Sequence, residues 1–290
     1  MDSRFHPAIA AIKAGDVERL RTLVREDPTL ATGRSSCSHP TLLQCLVLEA
    51  KDVPNQLEMA RVLVDAGADI DDPLGGCASI DNAGAASALL DAGAEINGRG
   101  GWSPLEEALY WNNREVIDLL LRRGASVHNL RIAAGLGRTD VMEDFFNADG
   151  TLKPEAGKIA WPFGDPEISN LAPPVKKALQ AGLAGWTHSD REIINNAFIY
   201  ACIHNRLEAA DLLLAKGAEI NAIPPGFDYA GTGLHYAALN GHREMVDFLL
   251  ERGADPTIRD PKVNNLPAGW AEYGGHPALK EHLERAAAAP

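Results

Sequence analysis

The sequence is poor in cysteine, and its cysteines are not arranged for metal binding or disulfide pairing. Four of the 290 residues are cysteines, namely Cys37, Cys45, Cys77 and Cys202. None forms a C-x-x-C pair or lies at zinc-ligand spacing from a histidine, so we expect neither a zinc site nor a disulfide framework. Cys45, Cys77 and Cys202 occupy small apolar positions, which predicts buried free thiols and a reducing compartment. We therefore predict no metal ligands.

Long apolar runs and an excess of basic side chains are also missing. No stretch approaches about 18 consecutive apolar residues, and residues 1–15 lack the apolar core and cleavage site of a signal peptide. We expect no membrane partner and a cytoplasmic location. The chain has 27 Lys and Arg against 40 Asp and Glu, a net charge of -13, which disfavours nucleic acid as a partner. No G-x-S-x-G, P-loop or nucleotide fingerprint occurs, so no cofactor is predicted.

The chain does contain a repeated phrase. Thr232 lies 16 residues before the apolar triplet that starts at Phe248, and Gly253 follows Phe248 after five residues. The same two offsets recur in three further segments, which open at Asn196, Ser103 and Asp72. Repetition at this period predicts helix–turn–helix units that stack side by side and bury one another's apolar faces.

Looser copies extend the pattern over most of the chain. With them the units number eight, and they open at residues 6, 41, 72, 103, 128, 196, 232 and 266. Proline at the second position suits a first helical turn, and glycine after the first helix suits the left-handed conformation that ends it. The leucine triplet of the second helix fills the space between units.

One segment does not fit the pattern. Residues 151–190 match no unit and are rich in Pro, Gly and Trp, which predicts an insertion with one short helix near 175–183. The sequence therefore predicts three regions: repeat units over 1–150, the insertion over 151–190, and further repeat units with a cap over 191–290.

The repeated phrase resembles that of ankyrin-repeat proteins. The resemblance is carried by Thr232, Leu234, His235, Ala237, Ala238, Gly241, His242, Leu249, Leu250, Gly253, Ala254 and Asp255. It implies an all-α solenoid of antiparallel helix pairs with hairpin-like fingers and a concave inner face. Gly233 departs from the family's proline. In the family the histidine of this phrase links neighbouring units by hydrogen bonds. In other units of this chain its position is occupied by Gly75, Glu106, Arg131 or Ile199, so we expect different contacts to link those units.

The resemblance also implies where a binding surface lies. In such units the variable surface comprises the fingers and the residues just before the inter-helix turn. Carried over unit by unit, these positions are Arg99, Trp102, Tyr110, Trp111, His204, Asp228, Tyr229, Leu239, Asn240, Lys262, Asn265 and Tyr273. This set is richer in aromatic residues than the chain, where they total 6%, as is typical of interface anchors. Tyr200, Tyr236 and Trp270 lie one turn deeper, where we expect packing instead.

The insertion adds aromatic side chains of its own. Trp161, Phe163 and Trp186 lie in it, and a loop of this length inside a repeat array is usually functional or disordered. We interpret these three residues as the candidate wall of a pocket beside the inner helices.

Two functions are compatible with these patterns. The first is an interaction scaffold that holds a protein partner through its concave aromatic face, with no catalytic residues. The alternative is an enzyme or receptor for a small organic molecule, with lyase- or cyclase-like acid–base chemistry by Glu106, His204 and Asp228. We favour the scaffold, because repeat solenoids seldom catalyse reactions.

Overall fold

The computed structural model describes residues 2–35, 39–99, 102–160, 177, 180–181 and 183–288. The chain divides into two compact units. The first comprises Met1–Ser126 with Phe163–Leu183, and the second comprises Val127–Pro162 with Ala184–Pro290. The predicted boundaries at 150 and 190 stay a prediction.

The first unit is a stack of helix pairs joined by short turns. Its described part contains nine α-helices: α1 His6–Ala14, α2 Val17–Glu26, α3 Thr29–Thr32, α4 Leu42–Glu49, α5 Gln56–Asp65, α6 Asp71–Ser79, α7 Ala83–Asp91, α8 Pro104–Tyr110 and α9 Arg114–Arg122. The first helices of the pairs pack in the order α1, α4, α6, α8, and the second helices in the order α2, α5, α7, α9. Each pair thus contacts mainly its neighbours along the sequence, as in a repeat array.

The second unit is built in the same way. Its described part contains eight α-helices: α10 Leu130–Leu136, α11 Thr139–Glu143, α12 Asp190–Ile203, α13 Leu207–Ala215, α14 Gly233–Leu239, α15 Arg243–Glu251, α16 Pro267–Tyr273 and α17 Pro277–Ala288. The first helices pack in the order α10, α12, α14, α16. Helix α12 begins at Asp190, so it is longer than the sequence pattern from Asn196 predicts.

Helices account for the regular structure of both units. Within the described ranges there is no β-strand, and Phe146 and Leu152 form only an isolated bridge. Leu213 and Leu249, from the triplets of α13 and α15, are fully buried. The predicted all-α architecture of stacked helix pairs is therefore confirmed.

The first helices begin at residues that cap them. Thr41 and Gln44 form a reciprocal capping box at α4, and Ser103 and Glu106 form one at α8. At α14 the same place is taken by Thr232 and the histidine of the repeated phrase, His235. Each box satisfies N–H groups that a helix start leaves without partners, so in these three units two residues three apart fix where the first helix begins.

The turn between the two helices of a pair requires a left-handed residue. Gly241 has φ 71° there, and the equivalent positions Asn112 and Asn205 have φ 57° and 54°. Glycine adopts this conformation without a Cβ clash, and asparagine tolerates it better than most residues. Asparagine thus replaces the predicted glycine without changing the turn.

The residue after this turn ties each pair to the pair before it. The Asn113 side chain donates to the Ala78 carbonyl at 2.7 Å. His242 Nε2 lies 2.8 Å from the Ile203 carbonyl, and Arg206 Nε lies 3.1 Å from that of Gly135. These bonds connect neighbouring pairs both in the unit that has the histidine of the repeated phrase, His235, and in two units that lack it.

Candidate functional site

In the first unit, three aromatic side chains meet around one carboxylate. Trp102 precedes α8, Tyr110 is the last residue of α8 and Trp111 follows it. The Tyr110 ring contacts both tryptophans edge to face, with centroid distances of 6.1 Å to Trp102 and 4.9 Å to Trp111. Both indole N–H groups donate to Glu107, from Trp102 Nε1 to Oε2 at 2.5 Å and from Trp111 Nε1 to Oε1 at 2.8 Å. We call Trp102, Glu107, Tyr110 and Trp111 the tryptophan cluster.

The Glu107 carboxylate is held in an apolar setting. Its residue is 8% exposed, and burial raises its pKa to about 7. The indole N–H bonds from Trp102 and Trp111 act in the opposite direction, and the nearby charge of Glu106 adds to the rise. Trp111 is nevertheless 40% exposed. The cluster thus fixes a partly exposed indole above a buried carboxylate.

Glu106 and Arg99, two other predicted residues of this unit, have structural partners. Glu106 is fully buried, and its Oε2 accepts the Ser103 N–H at 2.7 Å within the capping box of α8. Arg99 forms an ion pair with Asp71 of α6, while its own side chain stays 70% exposed. Glu106 therefore occupies the place that His235 has in α14.

In the second unit, aromatic rings form a buried stack. The Phe227 ring lies between those of Tyr200 and Tyr236, with centroid distances of 5.5 Å and 5.2 Å. The Trp270 ring continues the stack, 5.2 Å from Tyr236 and 5.0 Å from the His235 ring. All five side chains are buried, so the predicted packing role of Tyr200, Tyr236 and Trp270 is confirmed. We call these five residues the aromatic stack.

The fingers beside this stack carry an ion pair and an exposed ring. Lys262 Nζ lies 2.8 Å from Asp228 Oδ1 and 4.0 Å from the centroid of the Tyr229 ring. The Tyr229 carbonyl accepts a hydrogen bond from the Tyr236 hydroxyl, while the Tyr229 ring remains 47% exposed. The structure thus brings the predicted residues Asp228, Tyr229 and Lys262 together.

A buried aspartate organises the second of these fingers. Asp260 Oδ1 accepts the N–H groups of Lys262 and Val263 at 3.0 and 2.7 Å. Its Oδ2 accepts the Asn265 N–H at 2.9 Å and the Trp270 indole N–H at 3.0 Å. Burial acts to raise the Asp260 pKa, but these donors outweigh it and hold the pKa below its usual value.

Three of the remaining predicted residues of the second unit contribute to packing around the turns. His204 follows α12 and is buried. Asn240 follows α14 and donates from Nδ2 to the Tyr236 carbonyl at 2.9 Å. The Asn265 carbonyl lies 3.3 Å from His235 Nε2, which links the start of α14 to the next finger.

The last two predicted residues end first helices. Leu239 is the final residue of α14 and is half-buried, and Tyr273 is the final residue of α16. The Tyr273 side chain is 88% exposed. It therefore has an exposed aromatic surface, like Tyr229 on the finger.

The candidate pocket wall of the insertion is only partly covered by the structure. Trp161 and Phe163 lie outside the described residues, as does most of the predicted helix 175–183, of which 177, 180, 181 and 183 are helical. Trp186 is half-buried, with its ring centroid 6.2 Å from that of His188. The pocket wall stays a prediction.

The acid–base alternative gains no support from these positions. Glu106 accepts the Ser103 N–H within the capping box of α8, and Asp228 forms an ion pair with Lys262. Cys45, Cys77 and Cys202 are free and buried, as predicted. Among the described residues no group of three or more His, Cys, Asp or Glu side chains is placed to hold a metal ion.

No helix in the described ranges combines the length and the apolar character needed to cross a membrane.

Sequence reasoning missed two carboxylates that hold tryptophans. Neither Glu107 nor Asp260 is among the residues predicted from the sequence. The spacing of Glu107 and Trp111, four residues apart on one helix face, was the available signal for the first. For Asp260, ten residues before Trp270 and in another element, no local spacing gave a signal.

Comparison with known proteins matches two parts of the chain. Residues 175–260 match a family model described as ankyrin repeats in three copies, and residues 100–133 match the single ankyrin repeat. Together the two matches cover less than half of the chain. They account for about four copies, so the count of eight units stays a prediction.

The curated relatives are similar over short segments. The palmitoyltransferase AKR1 of Lachancea kluyveri is 33% identical over 93 residues, which are 32% of this chain and 12% of that protein. The palmitoyltransferase ZDHHC13 of Mus musculus is 44% identical over 71 residues, or 24% and 11%. The palmitoyltransferase Hip14 of Drosophila melanogaster is 41% identical over 61 residues, or 21% and 9%.

The chain thus spans only about a tenth of the length of these relatives. The family matches agree with the stacked helix pairs and the capping boxes described above. The chain contains ankyrin repeats, over residues 100–133 and 175–260.

Proposed function

We propose that this chain is an interaction scaffold whose ankyrin repeats hold a protein partner through aromatic side chains at the ends of the first helices and on the fingers. The observation that carries the proposal is the exposure of Trp111, Tyr229 and Tyr273, at 40%, 47% and 88%. Among the described residues few other large apolar side chains are as exposed as these. Exposed aromatic residues on a rigid support are typical of interface hot spots.

The surroundings of these rings support the proposal. Trp111 is fixed by its hydrogen bond to Glu107, and Tyr229 by Lys262 and by the bond from Tyr236 to its carbonyl. A side chain that is already fixed loses less conformational entropy when a partner binds it. The two units therefore each offer a pre-organised aromatic contact.

The chemistry of the partner follows from the charge. With a net charge of -13, the chain repels nucleic acid, so we propose a protein partner. The free buried thiols Cys45, Cys77 and Cys202 suit a reducing compartment, so we propose a cytoplasmic location. Among the described residues no observation favours a small-molecule ligand or the acid–base alternative. We do not propose palmitoyl transfer for this chain, because the matched segments make up only 9–12% of the palmitoyltransferases.

A double variant tests the proposal. Trp111→Ala with Tyr229→Ala should leave the far-UV circular dichroism unchanged, because both rings are partly exposed. Loss of two hot-spot rings should weaken partner binding by about 2 kcal/mol or more, a factor of about 30. Proteins cross-linked to the wild-type chain in cell extract would be identified and quantified by mass spectrometry, and their affinities then measured with purified partners.

The control removes an apolar side chain of equal exposure from another surface. Leu57 on α5 is 40% exposed, as Trp111 is, so Leu57→Ala should retain every partner. Recovery of the same partners at the same affinity by the double variant would contradict the proposal.

A further inference from the structure

The tryptophan cluster contains a buried acid without a basic partner. Within the described ranges no Lys, Arg or His lies at ion-pair distance from the Glu107 carboxylate, and its hydrogen-bond donors are the two neutral indole groups. Elsewhere in the same unit acids do pair with bases: Asp71 pairs with Arg99, and Asp91 with Arg123. An acid that is removed from water without a cation is electrostatically unsatisfied.

The surface above this acid is aromatic and partly open. Trp111 is 40% exposed, and its ring and that of Trp102 each meet Tyr110 nearly at right angles, with interplanar angles of 82° and 71°. The electron-rich faces of tryptophan and tyrosine attract cations within about 6 Å. The aromatic faces and the carboxylate therefore both attract a positively charged group.

We propose that the tryptophan cluster binds a basic side chain, Lys or Arg, of a protein partner. This inference rests on the proposed function and specifies which kind of partner side chain the surface binds. The cation would lie against the exposed Trp111 ring and bring its charge near the Glu107 carboxylate. Both oxygens of Glu107 already accept indole N–H bonds, so the attraction is charge with charge through the rings rather than a direct salt bridge.

The second unit offers an internal precedent for this geometry. There Lys262 lies 4.0 Å from the centroid of the exposed Tyr229 ring and 2.8 Å from Asp228 Oδ1. An amine, an aromatic face and a carboxylate are thus already combined within this chain. The tryptophan cluster has the face and the carboxylate, and the partner would supply the cation.

The test uses two blocked pentapeptides on the full chain. One has arginine between pairs of glycines, and the other has citrulline, which has nearly the same shape and no charge. The indole N–H signals of Trp102 and Trp111 in nitrogen–proton correlation spectra report binding. At pH 8, above the Glu107 pKa of about 7, the arginine peptide should shift both signals to saturation, with an affinity about tenfold above that of the citrulline peptide.

Variants locate the charge that is responsible. Glu107→Gln keeps the size of the side chain and should weaken arginine-peptide binding about fivefold, whereas Leu57→Ala should leave it unchanged. Equal affinity for the two peptides on the wild-type chain would overturn the inference, and this comparison needs no variant to fold. Equal arginine-peptide binding by wild type and Glu107→Gln would overturn it as well.

The outcomes also separate this inference from the proposed function. If Trp111→Ala loses its protein partners while arginine and citrulline peptides bind alike, the aromatic surface stands and the basic ligand is wrong. If the peptides discriminate while the double variant retains all partners, the cation site stands and the interaction surface is wrong.

Discussion

Each unit of this protein contains a tryptophan bonded to a buried carboxylate, but the two pairs differ in what surrounds the acid. In the first unit Glu107 accepts two indole N–H bonds and no other hydrogen bond from the described residues, and burial raises its pKa to about 7. In the second unit Asp260 accepts one indole and three backbone N–H bonds, and its pKa lies below the usual value.

The difference shows what each carboxylate does. Asp260 is saturated by the backbone of its own finger and serves to fold that finger against α16. The described residues that donate hydrogen bonds to Glu107 do so from side chains only, and one of them, Trp111, extends to the surface. Backbone donors stabilise the ionised form, whereas burial with two neutral donors leaves it disfavoured. Asp260 is therefore structural, and Glu107 supports a binding surface.

Removing the Asp260 carboxylate should have the largest effect on stability. Asp260→Ala leaves the Trp270 indole N–H and three backbone N–H groups without their acceptor. With about 1–3 kcal/mol for each buried donor left unpaired, and some regaining water, we expect a loss of about 4 kcal/mol in the free energy of unfolding. Urea unfolding followed by circular dichroism measures it.

Asp228 provides the matched control for Asp260, since it lies on the preceding finger and Lys262, with which it forms an ion pair, is partly exposed. Asp228→Ala should lose less than about 1 kcal/mol. Equal losses in the two variants would show that the backbone bonds of Asp260 do not stabilise the fold.

The Glu107 pKa predicts a specific pH dependence. Its folded value of about 7 lies above the ordinary 4.5, so between these pH values the folded chain holds a proton that the unfolded chain has lost. The stability from this group is full below pH 4.5 and is lost as pH rises through 7. The difference is about 3 kcal/mol.

Glu107→Gln should abolish this component, because the amide does not titrate. The measurement is the unfolding free energy of both proteins at several pH values from 4.5 to 8, with their difference plotted against pH. Relative to the variant, the wild type should gain stability as pH falls. A flat difference would mean that Glu107 is ionised throughout and that water or a cation reaches it.

His235 in the second unit should show the opposite slope. Burial lowers its pKa from 6.5 to about 4, so the unfolded chain binds a proton that the folded chain rejects. Its contribution is present above pH 6.5 and is lost as pH falls through 4, by at most about 3 kcal/mol. In His235→Gln this loss should disappear, because the amide does not titrate. The helix start should remain intact, since glutamine can close the capping box as Gln44 does with Thr41.

The two variants together test whether the units respond to pH in opposite directions. As the pH falls from 6.5 to 4.5, the unfolding free energy of Glu107→Gln should decrease relative to that of wild type, and that of His235→Gln should increase relative to it. Slopes of the same sign would contradict at least one of the two burial arguments.

The helix pairs could be predicted from the sequence because each depends on local signals. The capping residues Ser103 and Thr232 and the turn position at Gly241 lie within a few residues of the helices they define. The roles of Glu107 and Asp260 could not be predicted in the same way. They depend on burial and on partners brought together by packing, such as Trp270 with Asp260, and no repeat position specifies them.

The smallest expected effect concerns backbone conformation in the first unit. Two glycines with equally open surroundings test it. A Cβ at Gly75, inside α6, or at Gly93, after α7, meets no atom within 4 Å, but only Gly93 has positive φ, 94°. Gly75→Ala should therefore stabilise the fold by about 0.5–1 kcal/mol through helix propensity and the unfolded chain. Gly93→Ala should destabilise it by about 1 kcal/mol through the left-handed backbone. Urea unfolding resolves the two signs. Equal signs would mean that backbone conformation does not decide the outcome at these positions, because the space around both is the same.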